Sequence, residues 1–290
     1  MTGEPTVFRD TRAILGESLI WDASRSAMLW CVITAGLLHA SPLDGAVDGS
    51  TDSTLHLPAP LASFGLADAG FVLSLENRVV LADLDGRITD TLATIDHRRA
   101  GLRLNEGKVD PSGRWVTGSM ILVGDDPVGA YYSVTGAGAR TLYGGLGVAN
   151  GLEWSRDGSR IYFTDTSVST IYTGAYSESG EVTDVETWHH GSPNDGLAID
   201  EDGCFWSALY GGGRVIRYSP DGLELESIDL PVPNLTSVAF GGPELRTLFV
   251  ASARENLTEE QLEQYPLSGA VFAIETSTHG FTPRRFVRRS

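Results

Sequence analysis

A repeat of about 45 residues runs along the chain, and it constrains the fold more than any other feature of the sequence. In each copy an apolar stretch leads into a polar or glycine anchor, and a β-rich segment follows. Successive anchors are 46, 42, 45, 45 and 41 residues apart. The anchors are Asp22, Asp68, Asp110, Ser155, Asp200 and Gly241. A near-constant period of this length indicates a repeat architecture in which each copy is one supersecondary unit.

Each copy has the pattern of two strands joined by a tight turn, and a second strand pair follows in most copies. The Asp-Gly pairs in SRDGSR and DEDGCF supply the positive φ that a tight hairpin turn needs. Four short strands per repeat form one blade of a propeller. The sequence therefore predicts an all-β, six-bladed β-propeller of four antiparallel strands per blade, as a single domain over residues 1–290. The N-terminal stretch TVFRDTRAI would close the ring as a strand of the last blade. The polar stretch LTEEQLEQY of the sixth copy is interpreted as a loop turn.

The charge of the chain argues against a nucleic-acid partner. The 38 acidic and 21 basic residues give a formal net charge of −17, whereas binding to phosphates requires clustered Lys and Arg. The one basic cluster is interpreted as a solvated chain end. Its members are Arg284, Arg285, Arg288 and Arg289.

Cysteine usage and apolar runs indicate where the protein resides. Cys31 and Cys204 lie far apart without metal-ligand spacing, so we expect two reduced core residues. No apolar run approaches the roughly 18 residues of a membrane span, and the N-terminal residues lack a signal-peptide pattern. We therefore expect a cytoplasmic protein, monomeric or weakly dimeric, with neither a membrane nor a nucleic acid as partner.

Polar side chains recur just before the first strand of five copies. In a propeller this strand lines the central channel, so these side chains are expected at the channel mouth. Carboxylate and carboxamide oxygens without Cys or well-placed His suit a hard divalent cation such as Ca²⁺, Mg²⁺ or Mn²⁺. Each of them could separately be an ordinary turn residue, and their common phase favours a metal site. The residues are Glu17, Asn105, Asn150, Asp195 and Asn234.

The chain resembles the SMP-30/gluconolactonase family, which includes regucalcin. The matching segments are GESLIWD, RLNEGKVDPSGRWVTGSM, NGLEWSRDGSRIYFTDT, NDGLAIDEDGCFW, GGGRVIRYSPDG and YPLSGAVFAI, in the family's order. The resemblance implies a six-bladed propeller that holds one divalent metal ion at the channel mouth and hydrolyses a sugar lactone. Ca²⁺ is the favoured ion, with Mg²⁺, Mn²⁺ or Zn²⁺ as the others.

The resemblance also implies roles for individual residues. Metal ligation falls to Glu17, Asn150 and Asp195, and substrate contact to Arg103 and Asn105. One position departs from the pattern, because some relatives place a substrate-binding Glu shortly after the segment that matches GSM. Here the chain continues through Ile121, Leu122 and Val123. Asp125 and Asp126 follow slightly later. An apolar replacement would favour a less hydroxylated or differently decorated lactone.

These residues suit metal-assisted hydrolysis of a carboxylic ester bond. A cation held by three protein oxygens can polarise the lactone carbonyl and leaves positions for substrate and water. Asp195 is the expected catalytic general base, with activation of the water by the metal as the equal alternative. Arg103 would hold the substrate or stabilise the developing oxyanion. Two other functions stay open: calcium-dependent hydrolysis of phosphotriesters, and a non-catalytic propeller that binds calcium or a partner protein.

Overall fold

The computed structural model describes residues 2–97, 99–124 and 126–288. Its strands, numbered β1 to β24 in chain order, form six four-stranded antiparallel sheets. These sheets are the six blades of a β-propeller, which confirms the predicted fold class. Within the described residues no helix is both long and apolar enough to cross a membrane.

One compact unit comprises residues 1–54 and 195–282. Its first sheet contains β2 (Gly16–Asp22), β3 (Ala27–Val32), β4 (Leu37–Pro42) and β5 (Ser53–His56). The second contains β18 (Asn194–Ile199), β19 (Phe205–Leu209), β20 (Arg214–Tyr218) and β21 (Glu224–Asp229). The third contains β22 (Leu235–Gly241), β23 (Thr247–Ser252), β24 (Val271–Glu275) and β1 (Thr6–Arg9). The N-terminal strand β1 pairs with β24, as predicted, with Thr6 opposite Ala273.

The other compact unit comprises residues 55–194 and 283–290. Its first sheet contains β6 (Leu61–Ala67), β7 (Gly70–Leu75), β8 (Arg78–Ala82) and β9 (Ile88–Thr94). The second contains β10 (Leu102–Val109), β11 (Trp115–Ile121), β12 (Gly129–Thr135) and β13 (Gly138–Leu146). The third contains β14 (Ala149–Trp154), β15 (Arg160–Asp165), β16 (Thr170–Tyr176) and β17 (Val182–His190).

The anchors of the repeat lie in or beside the turns that join the first two strands of each sheet. In the β10–β11 turn, Oδ1 of Asp110 accepts hydrogen bonds from the backbone N–H groups of Ser112 and Arg114, both at 2.8 Å. Asp200 does the same in the β18–β19 turn for Asp202 and Cys204, both at 3.0 Å. An Asp side chain that satisfies its own turn is a local device, which explains why it recurs with the repeat.

Large apolar side chains fill the sheet interiors. Four tryptophans are at most 1% exposed and belong to the core. They are Trp30, Trp115, Trp154 and Trp206. Polar partners satisfy their indole N–H groups in three cases, as when Trp115 donates to Oγ of Ser74 at 2.9 Å. Cys31 and Cys204 are both buried and free, as expected.

Short helices interrupt the strands. Two 3₁₀ turns span Ile33–Ala35 and Thr166–Val168, and the helix α1 spans Glu259–Gln264. The interpretation of LTEEQLEQY as a loop turn is therefore wrong in part, because α1 lies within this stretch. A capping box starts α1, because the Thr258 side chain accepts from the Gln261 backbone and the Gln261 side chain accepts from the Thr258 backbone.

The C-terminal segment is attached to the unit that contains residues 55–194. Phe286 is 2% exposed and packs in the core with Trp115 and Val109, while its backbone N–H donates to the Leu66 carbonyl at 2.7 Å. Arg288 pairs with Asp90 at 2.6 Å. The interpretation of this segment as a solvated chain end is wrong in part: Arg285 and Arg288 are exposed, but the buried Phe286 anchors the segment. Arg289 lies outside the described residues.

Candidate functional site

The predicted site residues lie at the beginnings of first strands, where the pairing register shifts. In β2 the shift falls between Glu17 and Ile20. In β10 it falls between Leu104 and Gly107, on either side of Asn105. In β14 it follows Asn150. A β-bulge turns a side chain away from the alternation of a regular strand, so the same irregularity sets the direction of all three polar side chains.

In the unit containing β10 and β14, the structure brings together Arg103, Asn105 and Asn150. All three are buried, at 6–8% exposure. Nη1 of Arg103 donates to Oδ1 of Asn105 at 2.6 Å, and Nδ2 of Asn105 donates to Oδ1 of Asn150 at 2.6 Å. Nδ2 of Asn105 also donates to the Ala149 carbonyl at 3.1 Å. The predicted substrate residues and a predicted metal ligand therefore form one hydrogen-bonded chain.

Two further residues extend this chain. Nδ2 of Asn150 donates to Oγ1 of Thr166 at 2.9 Å, and the Thr166 hydroxyl donates to the Asn194 carbonyl at 2.6 Å. We call the whole series, from Arg103 through Asn105, Asn150 and Thr166 to the Asn194 carbonyl, the amide relay. Its direction is fixed at both ends, because a guanidinium can only donate and a carbonyl can only accept. Both carboxamides consequently have one allowed orientation.

Asp165 holds the backbone around the amide relay. Its carboxylate, on a residue 2% exposed, accepts from the backbone N–H groups of Gly147 at 2.9 Å and Val148 at 3.1 Å. It also caps the 3₁₀ turn by accepting from the Ser167 backbone at 3.1 Å. Asp165 thereby joins the segment before Asn150 to the turn that starts with Thr166. The Tyr131 hydroxyl donates to the backbone carbonyl of Asn150 and fixes it further.

In the unit containing β2 and β18, Glu17 and Asp195 are both buried, and their charges act on the hydroxyl of Tyr210. Glu17 is 8% exposed and Asp195 is 4% exposed. The Ser18 backbone donates to Oε2 of Glu17 at 3.0 Å, with Ser18 itself at a φ of 56°. Burial raises the pKa of Tyr210 to about 12, and the negative charges of Glu255, Asp195 and Glu17 act in the same direction. The two predicted carboxylate ligands thus act electrostatically on one phenol.

Close backbone approach fixes the strand that carries Asp195. A Cβ atom on the next residue, Gly196, would lie 2.8 Å from Cα of Ser237 and from the carbonyl oxygen of Thr236. Only glycine lets β18 approach β22 this closely. Asn234, the fifth polar residue of the sequence pattern, has a different role from the others. Its side chain donates to the Glu255 carbonyl at 2.9 Å and so holds the loop after β23.

The donor chemistry fits a hard cation. Among the described residues, no group of three or more His, Cys, Asp or Glu is positioned to hold a metal ion. A metal site must therefore include neutral oxygens, and the predicted set of Glu17, Asn150 and Asp195 combines two carboxylates with one carboxamide. The amide relay leaves Oδ1 of Asn150 with a single protein donor, and a carbonyl oxygen has two lone pairs. Such oxygens suit Ca²⁺ and related ions.

The loop after β11 replaces the glutamate of some relatives with exposed apolar residues. Leu122 is 54% exposed and Val123 is 84% exposed. Asp126 forms an ion pair with Arg99 at 2.5 Å, and Asp125 lies outside the described residues. The apolar side chains that the sequence places at this position, Leu122 and Val123, are therefore exposed on the surface of the loop.

Sequence reasoning missed three residues that shape the site. Asp165 ends β15 and Thr166 follows it, where Asp and Ser/Thr are common turn residues, so their presence in the matching segment NGLEWSRDGSRIYFTDT did not indicate a role at the site. Tyr210 follows β19 and is brought to the carboxylates only by tertiary contacts.

The fold and the site together define a six-bladed β-propeller whose first strands present buried carboxylates and carboxamides. The family model described as "SMP-30/Gluconolactonase/LRE-like region" matches residues 15–254. The chain belongs to this family, which confirms the resemblance drawn from its motifs.

Individual relatives match along almost the whole length. The chain is 38% identical to a 6-deoxy-6-sulfogluconolactonase of Pseudomonas putida, with 92% of this chain and 93% of the relative covered. It is 32% identical to an L-arabinolactonase of Azospirillum brasilense, with coverages of 98% and 96%. Among solved structures, a calcium-binding regucalcin of Agrobacterium tumefaciens superposes with a TM-score of 0.90 at 25% identity, covering 98% of both chains.

Proposed function

We propose that the protein is a divalent-metal-dependent hydrolase that opens a sugar lactone to its aldonic acid. The proposal is carried by the buried carboxylate and carboxamide oxygens at the beginnings of the first strands, in a chain 38% identical to a sugar lactonase. The proposed ligands are Glu17, Asn150 and Asp195, and the proposed ion is Ca²⁺, with Mg²⁺, Mn²⁺ and Zn²⁺ as candidates. When bound, the ion would supply Lewis-acid polarisation of the lactone carbonyl.

The residues of the chain account for the remaining chemistry. Water adds to the carbonyl carbon, and Asp195 takes the proton that this water loses. The ring C–O bond then breaks, and the same proton is returned to the departing ring oxygen, which becomes a hydroxyl. Arg103 would offer a guanidinium N–H to the oxygen that becomes negative. Asn105 holds that guanidinium in place through its Oδ1.

Three expectations accompany the proposal. We expect the small-molecule lactone to be the partner of this site, with no role for nucleic acid or a membrane. We expect the chain to act as a single domain, monomeric or weakly dimeric, in the cytoplasm. Gel filtration coupled to light scattering would measure the mass in solution.

The first experiment measures proton release from a panel of lactones. Metal-stripped protein is reloaded separately with Ca²⁺, Mg²⁺, Mn²⁺ or Zn²⁺ and supplied with hexono-, pentono- and 6-sulfonated lactones. We expect metal-dependent turnover, and a drop of about 10²–10⁴-fold in kcat/KM for Asp195→Asn. The matched control is Asp68→Asn, which changes an exposed turn aspartate and should leave the rate unchanged.

Two results would contradict the proposal. Full lactone turnover by Asp195→Asn would overturn the assignment of the base. Metal binding without turnover of any lactone would favour the two other functions, which phosphotriester substrates would then separate from each other.

A further inference from the structure

We infer that Thr166 is a positioning residue, which fixes the carboxamide of Asn150 so that its oxygen and not its nitrogen is presented to a cation. The inference rests on the proposed function, in which Asn150 is a ligand of the metal ion. Thr166 is the last residue of the matching segment NGLEWSRDGSRIYFTDT, but neither that resemblance nor the residue pattern assigns it a role. It enters through the geometry of the amide relay alone.

The Thr166 hydroxyl has one proton, and that proton is already used. It lies 2.6 Å from the Asn194 carbonyl, which can only accept. Toward Asn150, Thr166 Oγ1 can therefore only accept a hydrogen bond. Of the two ends of the carboxamide only Nδ2 can donate one, and it does so at 2.9 Å. The hydroxyl thus acts as a one-way acceptor toward Asn150.

The opposite orientation of Asn150 is penalised twice. A flip would place Oδ1 against the Thr166 oxygen, which has no proton left to donate. It would also place Nδ2 against Nδ2 of Asn105, whose own direction is fixed by Arg103 and by the Ala149 carbonyl. A flip would therefore leave two hydrogen bonds unmade at buried positions, where an unmade bond is most unfavourable. The relay therefore holds Oδ1 of Asn150 on one side in the absence of any ligand.

The backbone keeps Thr166 in the position that this role needs. Its N–H donates to the Val148 carbonyl at 3.1 Å, two residues before Asn150. It begins the 3₁₀ turn that Asp165 caps. In the β14–β15 pair, Ala149 lies opposite Asp165 and Asn150 opposite Thr164. Thr166 is consequently held next to Asn150 by backbone contacts that do not depend on its own hydroxyl.

The test replaces the hydroxyl with a methyl group of similar shape. Thr166→Val keeps the volume and removes both hydrogen bonds, so the Asn150 carboxamide loses its preference between the two orientations. We expect the Kd for Ca²⁺ and for Mn²⁺, measured by calorimetry on metal-stripped protein, to rise about 10–100-fold, as for other residues that orient a metal ligand. Thr166→Ser retains the hydroxyl and should restore a Kd close to that of the wild type.

Thr164, two residues before Thr166, provides a matched control. It lies directly opposite Asn150, it is fully buried, and its hydroxyl has no hydrogen-bond partner among the described residues. Thr164→Val makes the same chemical change beside Asn150 but outside the amide relay. Its Kd should equal that of the wild type.

A second readout needs no metal. In ¹⁵N spectra of the metal-free protein, the Nδ2 protons of Asn150 should exchange slowly with solvent in the wild type and in Thr164→Val. They should exchange faster in Thr166→Val. This difference reports the orientation directly and is independent of turnover.

The outcomes separate the inference from the proposed function. Wild-type protein that binds none of the four ions would contradict the proposed function, and the inference would fall with it. Metal binding by the wild type with an unchanged Kd in Thr166→Val would overturn the inference alone. An equal loss in Thr164→Val and Thr166→Val, or no rescue by Thr166→Ser, would also overturn it, because the effect would then come from packing.

Discussion

The two ends of β10 and β14 carry different kinds of buried polar groups. At their beginnings, Asn105 and Asn150 belong to the amide relay, in which neutral side chains that follow the Arg103 guanidinium are joined in one direction. Toward their ends, Lys108 pairs with Glu153 at 3.0 Å, and Arg284 of the C-terminal segment lies 3.5 Å from the same carboxylate. Lys108 is the single lysine of the chain. The beginnings of these two strands thus carry oriented carboxamides next to one guanidinium, and their ends carry charged side chains in ion pairs.

This difference shows how neighbouring polar clusters can have unlike roles. A carboxamide oxygen that accepts one hydrogen bond still has a lone pair for a ligand. The negative charge of a carboxylate between two cations is already neutralised by them. Such a carboxylate stabilises the protein because, without it, the buried cations would lack its compensating charge. We therefore expect changes at the amide end to act on catalysis and changes at the charged end to act on stability.

The largest effect should come from Asn105→Ala at the amide end. The change removes the acceptor that holds Nη1 of Arg103 and the donor to Oδ1 of Asn150. Loss of alignment of this kind costs about 10²-fold in rate, so kcat/KM for the best lactone should fall by that factor. Steady-state kinetics at saturating metal would measure it. An unchanged kcat/KM with a lowered melting temperature would show that Asn105 is structural only.

A loss of stability is expected from Glu153→Gln at the charged end. The amide can still accept from the Trp154 backbone, which donates to Oε1 at 3.0 Å, but Lys108 and Arg284 lose the negative charge of Glu153. Removing one partner of a fully buried pair costs about 3–5 kcal/mol. Because Lys108 is 32% exposed, we expect about 2 kcal/mol. Urea denaturation would measure this loss, with Glu178→Gln, at an exposed turn, as the control. A fall in kcat/KM at an unchanged midpoint would break the division between the two ends.

The smallest effect concerns Glu106, which lies between the two ends. Burial raises its pKa, Lys108 opposes the shift, and the charge of Glu153 adds to it. A raised pKa means that the stability contributed by the protonated form is present below the ordinary value of 4.5 and is lost as the pH rises through the raised pKa. The glutamine of Glu106→Gln cannot ionise. The melting temperature of this variant minus that of the wild type should therefore increase from pH 4 to pH 8. A difference that stays constant over this range would show that Glu106 keeps the same charge in both states.

The repeat and the site positions could be read from sequence because their signals are local. Each anchor aspartate bonds to its own turn, so Asp110 and Asp200 mark hairpins without help from the rest of the fold. Asn150 and Asp195 stand out because they recur in the same phase, each as the second residue of its strand. The direction of a carboxamide is different, because it depends on the hydroxyl of Thr166 in the 3₁₀ turn after β15. The role of Thr166 therefore emerged only from the structure.

Two segments were misjudged for a physical reason. The stretch around α1 is polar on all sides, which is typical of a loop, although Thr258 and Gln261 form a recognisable capping box. The C-terminal arginines drew attention to charge, whereas Phe286 determines where the segment lies. In both cases one local signal was outweighed by overall polarity.

The pairing of β1 with β24 has a consequence for the synthesis of the protein. The hydroxyl of Thr6 bonds to the carbonyl of Ala273, which the ribosome adds 267 residues later. At about 5–20 residues per second, β1 waits roughly 13 to 53 seconds for its partner. During this interval it is an unpaired strand of only four residues, too short to offer much of an edge to a neighbouring nascent chain. The last blade is thus completed only after β24 (Val271–Glu275) has been synthesised.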